Sequence, residues 1–149
     1  MTEPTPRVLG LVALGGALGS AGRYALETAV PFSPTEAEPG FPWATLAVNV
    51  TGALLMGLLV AWLTAHPAPP PWVRPFAAVG LLGGWTTYSA FAAEAHGLWG
   101  AGAPAASVAY VLGSVAAGLG AVVAGALLGQ RVWPSEREEI DAEEVTEGA

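Results

Sequence analysis

The residues from Gly80 to Glu94, Gly-Leu-Leu-Gly-Gly-Trp-Thr-Thr-Tyr-Ser-Ala-Phe-Ala-Ala-Glu, combine features that a plain apolar helix does not need. No charge interrupts the chain between Arg74 and Glu94, yet adjacent glycines and adjacent threonines break the apolar pattern. Inside a membrane such a break frees main-chain carbonyls, and it is tolerated only where protein or a water-filled cavity satisfies them. Tyr88 and Phe91, three residues apart, share one helix face. Ring edges carry partial positive charge, so edges along a narrow dry path can hold a small, poorly polarisable anion. Thr87 and Ser89 add hydroxyl donors. Ordinary aromatic packing accounts for the same pair, and the spacing alone leaves both readings open.

Further polar residues fall inside apolar stretches. Asn49 sits between Val48 and Val50, where an amide must face protein, water or a permeating solute. Arg23 lies near the end of the first apolar stretch, where its charge either snorkels to headgroups or projects a positive potential into the protein. Glu94 closes the third stretch as a rim carboxylate or as a buried one needing a partner or a proton. Ser114, four residues after Tyr110, extends a polar track along one helix face. His66 and His96 are expected in different connectors, in no metal-ligand spacing. No phosphate-cradling loop is present, and no enzyme constellation emerges.

The elements that must position these residues are membrane helices. Of 149 residues, 53% are hydrophobic and only 11% charged, against about a quarter charged in soluble domains. The spans expected are Val8–Leu26, Trp43–Ala65, Pro75–Ala93 with the break inside it, and Ala105–Leu128. Trp43, Trp72, Trp99 and Trp133 fall at span ends, as an interfacial aromatic belt requires. Residues 1–130 read as one all-α transmembrane domain of four helices, and 131–149 as an acidic, disordered tail. That tail carries seven of the twelve acids, so the net charge of −7 belongs mostly to it and argues against nucleic-acid binding. Cysteine is absent, which excludes disulfides and thiolate metal sites. Four-residue glycine spacings (Gly15 and Gly19, Gly80 and Gly84, Gly125 and Gly129) suit close helix approach.

Three segments together resemble the Fluc (CrcB-like) family of bacterial fluoride channels: Gly15 to Tyr24 (GGALGSAGRY), Ala44 to Gly52 (ATLAVNVTG) and Gly83 to Phe91 (GGWTTYSAF). The resemblance covers Val8 to Gly129. It implies a passive fluoride exporter in the bacterial plasma membrane, built as an antiparallel dimer with two pores. Asn49, Tyr88, Ser89, Phe91, Glu94 and Ser114 are then pathway residues, and Arg23 polarises the vestibule. Carbonyls of Gly83 and Thr86, two from each subunit, would hold a structural sodium ion on the dimer axis, the oxygen ligation a hard cation takes. Two positions depart from the family: Tyr88 stands where Phe is usual, and Gly118 where a hydroxyl often continues the track.

With four spans, Arg7, Arg74, Arg131 and Arg137 fall on one side and at most Arg23 on the other. The positive-inside rule then places both termini in the cytoplasm. This bias favours one orientation, and with it a heterodimer with an oppositely oriented homologue over a self-sufficient homodimer. Two other functions compete. A small multidrug-resistance-type exporter needs a carboxylate deep in the first span, where the only acid is Glu27 at its end. A non-transporting membrane scaffold explains the glycines but gives Asn49 and the Thr86-Thr87 break no cause.

Overall fold

The computed structural model describes residues 5–35, 38 and 40–134. Every regular element among them is helical: α1 (Pro6–Ala29), α2 (Trp43–Ala65), a π-wound segment (Arg74–Leu82), a single turn α3 (Gly83–Trp85), α4 (Tyr88–Gly100) and α5 (Pro104–Val132). Of these, α1, α2 and α5 are long and apolar enough to cross a membrane. The protein is a multi-pass helical membrane protein.

Local chemistry sets the helix ends. Prolines open α1, the π-wound segment and α5, where a fixed φ and a missing donor cost nothing. His66 is extended at φ −115° and ψ 102° because Pro67 disfavours helical geometry in the residue before it, so α2 stops at Ala65. Thr87 caps α4, its Oγ1 accepting from the Ala90 N–H at 3.2 Å. Beyond α4 the chain turns at Gly102, whose φ of +75° is open to glycine.

Trp43–Ala65 has the bounds expected of it, while α1 and α5 run a few residues past theirs. The third expected span is two pieces, interrupted at Thr86 and Thr87, and its second piece runs on to Gly100. Glu94 therefore lies within a helix rather than at its end. His96 also belongs to α4 and not to a connector, because the Gly97-Leu98-Trp99 stretch continues the helical bonding. The acidic tail from Ser135 lies outside the described residues, and Arg131 and Val132, assigned to it from sequence, complete α5.

The helices pack as two parallel pairs. A Cβ placed on Gly80 would come within 2.8 Å of the Val12 carbonyl oxygen and 2.9 Å of the Gly15 Cα. One placed on Gly19 would overlap the Leu81 carbonyl, so α1 and the broken segment advance side by side. In the second pair Gly57 of α2 faces Val122 and Ala126, and Gly125 of α5 faces Leu54 and Leu58. Lipid tails are as apolar as the helices, so association rests on close dispersion contact, which glycines permit. The two pairs meet over the first half of α2, where Thr51 and Gly52 face Trp85 and Thr86 and where Thr45 faces α4. There Thr45, Val48, Leu98 and Tyr110 are fully buried.

Adding even one methyl at Gly57 forces α2 from α5. Gly57→Ala should cost about 1–3 kcal/mol of stability, the usual range for overpacking. Gly10→Ala, with nothing within 4 Å of the added atom, should cost none. Thermal unfolding midpoints of the two variants in detergent measure the contrast.

Candidate functional site

Thr86 (φ −76°, ψ 156°) and Thr87 (φ −146°, ψ 128°) are extended, so the main-chain groups around them leave the helical ladder. Each diverted group can be followed. The Thr87 N–H donates to Asn49 Oδ1 at 2.8 Å, and Asn49 Nδ2 donates back to the Thr87 carbonyl at 3.0 Å. One side chain of α2 thus pairs with both polar groups of one residue, as a neighbouring strand does. The Gly84 carbonyl accepts from Arg23 Nε at 3.2 Å and from Ser20 Oγ at 3.5 Å. Thr86 stays tied to the preceding turn, its N–H and its hydroxyl both donating to the Leu82 carbonyl. Trp85 is anchored to α2 by a 3.0 Å bond from Nε1 to the Thr51 hydroxyl.

The carbonyls of Gly83, Gly84, Trp85 and Thr86 all lose their helical donors, and that of Gly84 is served by Arg23 and Ser20. The N–H four residues after Gly83 is that of Thr87, which Asn49 takes. The N–H four residues after Thr86 is that of Ala90, which the Thr87 hydroxyl takes. Gly83 and Thr86 are the two residues whose carbonyls the family resemblance implies as sodium ligands.

Beside the break an open groove of about 520 Å³ is lined by Asn49, Met56, Thr86, Tyr88, Phe91 and Ser114 among others. The Phe91 ring lies 6.0 Å from that of Tyr88 and 5.3 Å from that of Tyr110, tilted by 45° and 48°. Tyr88 projects from the groove and is 81% exposed. Ser114 Oγ is buried without a hydrogen-bond partner. Asn49, Tyr88, Phe91 and Ser114 are thus brought together from three helices. Ser89 does not line the groove; its hydroxyl lies 3.2 Å from that of Thr87.

Glu94 also lies off this groove. Its Oε1 accepts from the Thr45 hydroxyl at 2.6 Å and its Oε2 from the Tyr110 hydroxyl at 2.8 Å. Tyr110 joins the two zones, since its ring packs on Phe91 and its hydroxyl holds Glu94. Glu94 lines a second open cavity of about 370 Å³, together with Glu27, Phe32 and Ala44. Arg23 does not reach out alone: besides Gly84 it bonds Glu27 through Nη1, at 3.3 and 3.2 Å to the two carboxylate oxygens.

Thr45, Tyr110, Ser20 and Glu27 were not among the candidate site residues. A periodicity signal existed for three of them. Thr45 precedes Asn49, Tyr110 precedes Ser114, and Glu27 follows Arg23, each by four residues and so on one helix face. Nothing in the sequence distinguishes Ser20.

Residues 10–126 match the family described as CrcB-like protein, Camphor Resistance (CrcB). A Paracoccus denitrificans protein named fluoride-specific ion channel FluC is 49% identical over 122 residues, 82% of this chain and 94% of that one. The protein of the same name from Agrobacterium fabrum is 41% identical over 125 residues, 84% of this chain and 98% of its own. A Streptomyces avermitilis relative, fluoride-specific ion channel FluC 3, is 44% identical over 123 residues but is longer, with 58% of it covered. With a match through nearly all of its described helices and relatives of this identity along almost their whole length, the chain belongs to the CrcB-like family.

Proposed function

We propose that this protein is a fluoride-selective channel, not an enzyme, which passively releases fluoride across the bacterial plasma membrane and so lowers its cytoplasmic concentration. The carrying observation is the groove beside the break, where Asn49, Tyr88, Phe91 and Ser114 converge within an apolar lining. The names of the relatives supply the ion. A ring edge attracts an anion without the strong hydrogen bonds that would trap it, and conduction needs binding weak enough to release. Hydrogen fluoride crosses lipid as a neutral acid, ionises inside, and leaves through the pore down its gradient.

The interrupted segment forms a fourth crossing, and the channel is an antiparallel dimer with two pores. Support comes from the openness of the groove and the exposure of Tyr88, because one chain leaves one wall of the path unbuilt. Gly83 and Thr86 carbonyls of both subunits hold a structural sodium ion, which fixes the dimer and is not transported. The diverted helical donors fit that role, leaving hard oxygen ligands free for a cation. Arg7, Arg74 and Arg131 lie at one end of the helices, which supports cytoplasmic termini and a partner that is an oppositely oriented homologue.

Liposomes carrying dimers that contain this chain should release fluoride while chloride stays at the leak rate. Fluoride at the leak rate in assembled dimers would contradict the channel. A conducting dimer of this chain alone would refute the heterodimer and leave the channel standing.

Phe91→Ile removes a ring edge, and Asn49→Asp sets a negative charge beside the path while losing the donor to Thr87. Each should slow fluoride release roughly tenfold or more, about 1.4 kcal/mol of barrier, with the dimer still assembled by size-exclusion chromatography. Unchanged flux in both would take these residues off the path. Exchanging sodium for a large organic cation during assembly should abolish flux and weaken the dimer, whereas sodium movement through the working channel should be absent.

A further inference from the structure

The ion pair between Arg23 and Glu27 joins an acid to the cation that bonds the break at the Gly84 carbonyl. Arg23 is the one cationic side chain among the described residues toward this end of the helices. Arg7, Arg74 and Arg131 lie at the opposite end. Three described carboxylates share its end, Glu27, Glu38 and Glu94, along with His96 of α4. Glu27 and Glu94 line one cavity, and both oxygens of Glu27 sit on Arg23 Nη1.

We infer that Glu27 is a charge-setting residue of the channel: by cancelling Arg23 at the mouth it throttles fluoride access to the pore. The inference rests on the fluoride-channel reading. The geometry separates charge cancellation from positioning. Arg23 Nε is held by the Gly84 carbonyl at 3.2 Å independently of Glu27, so the guanidinium keeps an anchor when the carboxylate is removed. Both side chains are about a quarter exposed, at 26%, so their fields reach the adjoining water. The pair itself contributes little stability at such exposure. A fixed charge at a mouth acts instead on the local concentration of the permeating ion and on its rate of arrival.

The test compares wild-type dimers with dimers carrying Glu27→Gln or Glu27→Asp in this chain, reading fluoride efflux from liposomes. At about 0.01 M ionic strength, where screening extends over about 30 Å, Glu27→Gln should raise the rate about two- to fivefold. At about 1 M salt, where screening acts within about 3 Å, the gain should vanish. Glu27→Asp keeps the charge and should match wild type at both salts. A merely structural role predicts loss in Glu27→Gln and no salt dependence. An unchanged or lower rate in Glu27→Gln, or a gain that persists at high salt, overturns the inference while wild-type fluoride flux keeps the channel. Absence of wild-type fluoride flux overturns both.

Discussion

The geometry of the break depends on the pairing of the Asn49 amide with the main chain of Thr87. An orphaned amide group in an apolar surround costs several kcal/mol. Hydrogen bonds between membrane helices, by contrast, stabilise by only about 0.6 kcal/mol on average. The importance of Asn49 therefore lies less in bond energy gained than in two orphans avoided. An amide side chain offers a donor and an acceptor side by side, one for each of the two Thr87 groups. Leucine in its place would leave both Thr87 groups bare, and aspartate would leave one.

Once Asn49 takes the Thr87 N–H, other consequences are forced. The Gly83 carbonyl loses its helical donor, and α4 must restart with its own cap, the Thr87 hydroxyl. That cap takes the Ala90 N–H and so deprives the Thr86 carbonyl in turn. Gly84 is served instead by Arg23 and Ser20, which reach it because glycines let α1 lie against the broken segment. One amide thus creates free oxygens on one side of the break and starts, on the other, the helix that carries Tyr88 and Phe91.

The helices were legible where apolar length and punctuation agree. Trp43 and the His66-Pro67 pair bracket α2, and its bounds match the expectation. The glycine spacings announced backbone contact, because only a missing Cβ permits it. The end of α4 was misjudged: Glu94 reads as a boundary charge, yet the Thr45 and Tyr110 hydroxyls accommodate it within a helix that runs six residues further. Those partners come from α2 and α5, and contacts across forty-nine and sixteen residues leave no local trace. Arg23 shows the same limit. Its position near a span end suggests snorkelling, whereas its acceptor, the Gly84 carbonyl, exists only because the segment is broken sixty-one residues later. Glu27 was visible as an acid at a helix end, but its effect on the mouth depends on the cavity it shares with Glu94.

The most direct test is a high-resolution crystal structure grown in lipid with sodium and fluoride. It should show residues 83–90 interrupted at Thr86–Thr87 with Asn49 bonded to both Thr87 groups, and fluoride density beside the Phe91 ring edge. A continuous helix through residues 83–90, with Asn49 bonded elsewhere and lipid filling the groove, would contradict the account.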